Sequence, residues 1–307
     1  MILKIVTRTS PLALWQAEYV KQQLIDTHPQ LEVEIVGLKT TGDQFLNVPL
    51  HKIGGKGVFV KELEEALLSK AGDIAVHSLK DVPAHFPKRL MLGAICQREN
   101  PFDAWICPKG YTLESLPRHS RVGTSSLRRM TQLKQFRPDL EYVPLRGNVD
   151  TRLRKCQSGE WDAIVLAAAG LLRLNLQSHI TTIFSIEALL PAVGQGALGL
   201  ECRIDDISTQ RLIAPLNHYP SRICVEAERV MNAKLGGNCQ IPVAGYARIL
   251  AGKMVLTGRV GHPQRAGLLE ASRSGPIELP ESLGEQVADD LVQQGAADII
   301  NEILSNG

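Results

Sequence analysis

The sequence predicts an α/β protein carrying a smaller α+β domain at its C-terminal end. Strand-like and helix-like segments alternate from residue 2 to about residue 218, and beyond that point two consecutive strands are flanked by helices. At 307 residues the chain suits two or three domains, each large enough to bury its own core.

The elements follow in order. Residues 2–8 read as a buried strand, Ser10 and Pro11 supply an N-cap and a first-turn proline, and Leu12, Trp15, Tyr19 and Leu24 recur at helical spacing. Leu31 to Leu38 alternates as a strand, Val58 to Ser69 forms an amphipathic helix rich in Glu and Leu, and Asp73 to His77 is another buried strand. Arg121 to Thr124 is a short strand feeding a helix from Ser125 to Phe136. Tyr142 to Leu145 feeds a helix near Asp150 to Gln157, and Ala163 to Leu166 is a third strand of this region. In the last part, Ser221 to Ala233 is a helix, Val243 to Ile249 and Lys253 to Val260 are strands joined by a hairpin, and Glu281 to Leu304 is one long amphipathic helix.

Composition excludes several classes. Hydrophobic residues at 44% against 21% charged rule out a disordered chain, and aromatic residues at 5% argue against a base-stacking nucleic-acid platform. The longest apolar stretch, Ala163 to Leu172, falls well short of the roughly 20 residues that cross a bilayer, so no membrane partner is expected. The first residues read directly as a strand, without a charged and apolar leader, which predicts a reducing, cytoplasmic compartment. The cysteines at 96, 107, 156, 202, 224 and 239 form no CxxC or other close pair, so no metal site is expected.

The net charge of +2 conceals an uneven distribution. Residues 121–155 hold nine basic and three acidic side chains, whereas residues 266–307 hold one basic and eight acidic ones, the latter reading as a solvated helix face. Three strand-to-helix junctions, Arg8-Thr9-Ser10, Thr124 to Arg129, and Arg146-Gly147-Asn148 leading to Arg152, each put hydroxyl or amide groups and a guanidinium beside helix N-terminal amides. Unsatisfied N–H groups and the helix dipole favour an anion there, and open α/β sheets bind ligands at the carboxyl ends of their strands. Plain capping with solvated arginines is the competing reading of any one junction.

Other segments carry weaker signals. Lys52-Ile-Gly-Gly-Lys56-Gly is a glycine-rich basic loop without the order of a nucleotide P-loop; a mobile cover over an anion and a surface loop with incidental lysines fit it equally. Asp81, beside Lys80 at the end of a strand, could stabilise a developing positive charge or move protons, although an N-cap or ion-pair aspartate is the plainer reading. His77 reads as a core or capping histidine. Cys96, Cys107 and Cys224 adjoin Ile or Val and read as core residues, while Cys156 and Cys202 lie among polar neighbours. Cys239 sits in the turn-rich Leu235-Gly-Gly-Asn-Cys-Gln-Ile-Pro242, which suits an exposed nucleophile and an inert loop cysteine alike.

Seven segments in order then share one pattern: Arg8-Thr-Ser-Pro-Leu-Ala-Leu-Trp-Gln16, Gly54-Gly-Lys-Gly-Val-Phe-Val-Lys-Glu-Leu-Glu64, Asp73-Ile-Ala-Val-His-Ser-Leu-Lys-Asp-Val-Pro83, Val122-Gly-Thr-Ser-Ser-Leu-Arg-Arg129, Leu145-Arg-Gly-Asn-Val149, Pro191-Ala-Val-Gly-Gln-Gly-Ala197 and Gly236-Gly-Asn-Cys-Gln-Ile-Pro242. Together they resemble the porphobilinogen deaminase family over essentially the whole chain. One departure stands before the cysteine, where the family commonly has glycine and this chain has Asn238.

The resemblance implies two α/β domains similar to periplasmic-binding-protein modules around a cleft, residues 1–96 with 197–215 and residues 97–196, and a cofactor-bearing α+β domain, residues 216–307. It implies stepwise condensation of four porphobilinogen molecules, each losing ammonia, onto a dipyrromethane primer that the enzyme makes itself, and hydrolytic release of hydroxymethylbilane. By the same resemblance Cys239 holds the primer through a thioether. Ser78, Lys80, Asp81, Thr124, Ser125, Ser126, Arg128, Arg129, Arg146 and Gly147 surround it, and Asp81 is the catalytic residue. Arg8, Ser10, Gln16, Lys52, Lys56, Phe59, Arg146, Arg152, Arg173 and Gln195 are implied for the substrate, a small polycarboxylate pyrrole, and a monomer is expected. The chemistry agrees with the basic junctions: primer and product rings together bring about a dozen carboxylates, and one unit-charge pair at about 4 Å and an effective dielectric near 20 is worth roughly 4 kcal/mol before desolvation. A two-lobed anion-binding protein would show the same junctions without a catalyst, but the cysteine loop and the missing leader count against it. Nucleic-acid binding is weaker, since the Arg-rich segment lacks interleaved aromatics.

Overall fold

The computed structural model describes residues 2–40, 60–237 and 241–305. Along the chain run β1 (Ile2–Arg8), α1 (Pro11–Thr27), β2 (Glu32–Leu38), α2 (Lys61–Leu68), β3 (Ile74–Ser78) and β4 (Leu90–Ile95). Next come β5 (Asp103–Ile106), β6 (Arg121–Gly123), α3 (Leu127–Phe136), β7 (Glu141–Val143), α4 (Val149–Gln157), β8 (Ala163–Ala167), α5 (Ala168–Arg173) and β9 (Thr182–Ile183). β10 (Leu198–Arg203), α6 (Ile207–Ile213), α7 (Tyr219–Lys234), β11 (Val243–Leu250), β12 (Lys253–Gly261), β13 (Leu268–Pro276), α8 (Pro280–Gln293) and α9 (Ala296–Ser305) complete it.

The chain divides into two compact units at boundaries after Glu99, Gly196 and Arg222. The first unit holds a five-stranded sheet of order β2-β1-β3-β10-β4. β1 pairs in parallel with β2 and β3, while β10 runs antiparallel between β3 and β4. The second unit repeats the plan as β7-β6-β8-β5-β9, with β6 parallel to β7 and β8, and β5 antiparallel between β8 and β9. In both sheets the antiparallel position is taken by a strand that follows a crossing of the chain from the other unit. Residues 223–305, which the sequence-based division treats as part of a third domain, bring a second sheet to the second unit, β11-β12-β13, antiparallel throughout.

Burial on both faces explains the near-continuous apolar strands. Leu3, Ile5, Ile74 and Val76 enter one core with Ala17, Val20 and Leu24 of α1, and Val6 and Ala75 enter another with Leu63 and Leu67 of α2. Trp105, Val122 and Val165 face one way in the second sheet, while Ala104, Ile164 and Leu166 face the other. The C-terminal sheet packs α7 and α8 through Met231, Met254, Leu256, Val287 and Leu291.

Several elements depart from the sequence reading. The buried seam of α1 is Ala13, Gln16, Ala17, Val20 and Leu24, whereas Trp15 and Tyr19 stack on each other at 5.6 Å on its flank. The long C-terminal helix is two helices, because Gly295 takes φ +98° and closes α8 through its N–H to the Val292 carbonyl. β4, β5, β9, β10 and β13 are strands beyond those assigned from the sequence. Cys156 and Cys202 are buried like Cys96, Cys107 and Cys224, since their polar sequence neighbours face the other way.

Gly284 sets how closely α8 approaches α7. A Cβ there would stand 2.5 Å from the Ala227 carbonyl oxygen and 3.1 Å from the Met231 nitrogen, both backbone atoms that cannot swing aside. Gly284→Ala is expected to destabilise the chain by about 1–3 kcal/mol, read as a lower denaturant midpoint, even though alanine favours helix.

Candidate functional site

Parallel strands deliver their carboxyl ends to one edge of a sheet, so the junctions that follow β1 and β3 are neighbours. After β1, Ser10 accepts a hydrogen bond from the Ala13 N–H and Pro11 occupies the first turn, so α1 starts where the sequence predicts. After β3 the chain makes a single 3-10 turn, Leu79–Asp81. Gln16 of α1 donates to the Ser78 hydroxyl at 2.9 Å and ties the two junctions together. A pocket opens here, lined by Arg8, Ser10, Gln16, His77, Ser78 and Asp81 among the polar groups and by Leu12, Ala13, Val60, Leu63 and Val76 among the apolar ones. Asp81 is exposed at its side, without a hydrogen bond or ion pair among the described residues. Lys80 beside it is half-buried.

The equivalent edge of the second unit carries Thr124, Ser125, Ser126, Arg146 and Gly147. Ser126 caps α3 by accepting from the Arg129 N–H, and Thr124 accepts from the Ser126 N–H at 3.2 Å. Ser125 is spent on the next junction, donating to the Leu145 carbonyl at 2.8 Å and accepting its N–H at 2.9 Å. Gly147 holds φ +106°, and a Cβ there would meet Thr151 at 2.9 Å, so this turn requires glycine. The turn presents Arg146, half-buried and with no protein partner among the described residues, and brings Arg152 Nε to the Gly147 carbonyl at 2.7 Å.

The basic segment 121–155 is largely consumed within the fold. Asp103 of β5, 0% exposed, receives Arg128 Nη1 at 2.8 Å and Arg129 Nη2 at 2.6 Å and Nε at 3.0 Å. Arg128 and Arg129 are only 5% and 7% exposed, and further N–H groups go to the Leu190 and Val165 carbonyls at 2.8 Å each. Burial pushes the Asp103 carboxyl up, but the two guanidiniums outweigh it and bring the group down to about 2. Arg137 is held by Asp139 and by the Leu116 carbonyl, Arg121 by the Glu160 carbonyl, Lys134 by the Pro263 carbonyl and Lys155 by Glu160. Of the basic side chains at this junction, Arg146 has no protein partner among the described residues, Arg152 is bonded to Gly147, and the exposed Arg154 lies in the last turn of α4.

Two other expected substrate residues lie inside. Gln195 is 0% exposed and donates to the Pro101 carbonyl at 2.7 Å and to Asp103 at 3.1 Å, and Arg173, buried, donates to the Gly196 carbonyl at 2.7 Å. Both therefore shape the wall rather than present a free group. Lys52, Lys56, Phe59 and Cys239 lie outside the described residues. Burial pushes the Cys156 thiol up to about 12 and the Cys202 thiol up to about 11, which removes both from nucleophilic chemistry. Asp103, Glu201 and the contact of Gln16 with Ser78 escaped sequence reading, because each depends on partners far along the chain. Among the described residues no helix is long and apolar enough to cross a membrane.

Residues 3–211 match the family described as porphobilinogen deaminase, dipyromethane cofactor binding domain, and residues 222–293 match the porphobilinogen deaminase C-terminal domain. Among solved structures, the methionine binding protein MetQ is similar at 12% identity over 70% of this chain and 89% of its own, with a TM-score of 0.46. YhfZ from Shigella flexneri is similar at 18% identity over 75% of this chain and 93% of its own, with a TM-score of 0.36. These two likenesses are too distant to carry an assignment.

The Asp103 cluster makes a stability prediction. Its folded carboxyl, at about 2, lies below the ordinary unfolded value of about 3.9, so it contributes stability above about pH 4 and loses it as pH falls through 2. Asp103→Ala strands two buried guanidiniums and is expected to cost about 3–5 kcal/mol at pH 7 by denaturant unfolding, with the penalty shrinking toward pH 2.

Proposed function

Since the chain belongs to the porphobilinogen deaminase family, whose activity is the condensation of four porphobilinogen molecules on a dipyrromethane cofactor into hydroxymethylbilane, we propose how its own residues carry out that reaction. The observation that carries the proposal is the pairing of an exposed Asp81, without a partner among the described residues, with a polar pocket at the edge of the first sheet.

Every ring of substrate, cofactor and product bears carboxylates, so the donor set must be cationic and hydroxylic. Arg8, Ser10, Ser78 and Lys80 at the edge of the first sheet and Thr124, Arg146 and Arg152 at that of the second meet this requirement, and the chemistry of these donors fits dipyrromethane. When bound, the cofactor supplies a pyrrole end on which growth begins. Cys239 is our proposed attachment; the high thiol values of Cys156 and Cys202 support that choice. Lys52, Lys56 and Phe59 remain proposed substrate contacts from sequence. Arg128 and Arg129 serve through their small exposed edges, with Asp103 fixing their direction, and Ser125, Arg173 and Gln195 hold backbone in place.

Loss of ammonia leaves a substrate ring carrying positive charge on its N–H. Asp81, without an ion pair among the described residues, accepts a hydrogen bond from that N–H and stabilises the charge as it develops. Arg8, which lines the same pocket, holds a ring carboxylate and so fixes which face of the ring is presented, and Arg146 is our proposed carboxylate ligand at the edge of the second sheet. The three-domain division, a cytoplasmic setting and a monomeric state complete the proposal.

Intact-protein mass and turnover test these roles. Material made in a host that supplies porphobilinogen should exceed the bare polypeptide mass by one dipyrromethane, and Cys239→Ser should lack the increment; an adduct on Cys96 or another cysteine would sink the attachment. Asp81→Asn should retain the increment while turnover falls by about 100-fold or more, and near-normal turnover removes Asp81 from the mechanism.

A further inference from the structure

Beneath the pocket lies a buried acid and base that the roles above do not use. His77 of β3 lines the pocket and is 5% exposed, and its Nε2 stands 2.8 Å from Oε2 of Glu201, which is 0% exposed on β10. The register explains the contact. Gly199 lies opposite His77 and Glu201 opposite Ala75, so His77 and Glu201 are diagonal neighbours on one face of the sheet, 124 residues apart in sequence. Glu201 Oε1 is buried without a hydrogen-bond partner among the described residues.

A carboxylate enclosed in this way has His77 as its stabilising partner, and its negative charge orients the ring with Nε2–H toward itself. With Nε2 committed to Glu201, Nδ1 is the ring nitrogen left to take a proton. The arrangement is a carboxylate–imidazole pair of the kind that makes a histidine a proton acceptor, here at the wall of a pocket that also contains Asp81.

We infer that His77, oriented by Glu201, is the proton acceptor of this pocket and takes up the proton shed each time one substrate ring joins the next. This rests on the family's reaction. In one coupling the C–N bond of the aminomethyl group breaks with its electron pair leaving on ammonia, and the C–C bond forms from π electrons of the acceptor ring. The C–H bond at the acceptor α-carbon then breaks and returns its pair to that ring. The proton passes through the pocket to Nδ1 of His77, giving an imidazolium beside the Glu201 carboxylate, and leaves with the ammonia as ammonium. Asp81, exposed and without a protein partner among the described residues, stays the charge-stabilising group, so the two tasks fall to two residues.

The charged surroundings of His77 are mixed. Glu201 approaches from β10 and Glu64 from α2, while Arg8 from the end of β1 and Asp81 from the turn after β3 line the same pocket. Burial, and after it the Glu201 charge, push the Glu64 carboxyl up to about 7, with His77 pulling the other way. Glu64 is thus a further group near the pair that titrates close to neutrality.

The test combines kinetics with nitrogen NMR on the full chain carrying its covalent primer. His77→Gln and Glu201→Gln should keep the primer by intact mass, while His77→Gln lowers turnover about 100-fold and flattens its decline toward acid pH, and Glu201→Gln lowers it about 10-fold or more. In the wild-type protein with labelled histidine, the His77 signal at pH 8 should show the proton on Nε2 and a bare Nδ1, and Glu201→Gln should erase that preference. Wild-type turnover with an unchanged pH profile in folded, loaded His77→Gln overturns the inference, as does a wild-type ring with its proton on Nδ1 and none on Nε2. The second readout decides even if both variants fail to fold. A wild-type chain that makes no hydroxymethylbilane overturns instead the reading on which the inference rests.

Discussion

The buried Asp103 carboxylate governs what the second unit can offer to a ligand. A charge with no access to water must be matched inside the fold, and Arg128 and Arg129 together match it, with Gln195 completing the shell. That choice anchors the first turn of α3 on β5 and, through the Val165 carbonyl, on β8. It also withdraws two guanidiniums from the surface, whereas Arg146, on the next junction, stays half-buried and without a protein partner among the described residues. Arginines thus stand both inside the fold and on the neighbouring junction, and burial separates the two settings.

Both five-stranded sheets follow one plan, and the plan explains why two edges of similar character exist. Parallel strands bring β1 and β3, or β6 and β7, to a common end, where helix starts and short polar turns collect. The antiparallel strand in each sheet serves a further purpose in the first unit, because β10 carries Glu201 alongside β3 and so under His77. A fully parallel arrangement built only from local crossovers would draw that neighbour from nearby sequence. Here it comes from residue 201, after the whole of residues 100–196 has intervened.

Local signals were legible wherever the physics is local. Ser10, Pro11 and Ser126 announce helix starts because a cap needs only the next three residues, and the two-residue turn at Ala251 and Gly252, with φ +47° and +75°, closes the hairpin that the flanking strands suggest. The helical spacing of Leu12, Trp15, Tyr19 and Leu24 announced α1, but such spacing does not say which of two adjacent faces the core will cover. The basic run 121–155 misled: counting charges treats Arg129 and Arg146 alike, and only burial distinguishes them.

By itself the sequence determined the class of fold, the starts of its main helices and, through seven ordered motifs, the family and its chemistry. Those features rest on short-range geometry or on long stretches of matching residues. Tertiary structure alone decided which cations are already neutralised, that Cys156 and Cys202 are enclosed, and that His77 has Glu201 at 2.8 Å. Each of those depends on tertiary contacts, from Asp103 with Arg128 and Arg129 to His77 with Glu201, 124 residues apart, and desolvation, which turns a charge from a surface decoration into a constraint, exists only once such segments have met.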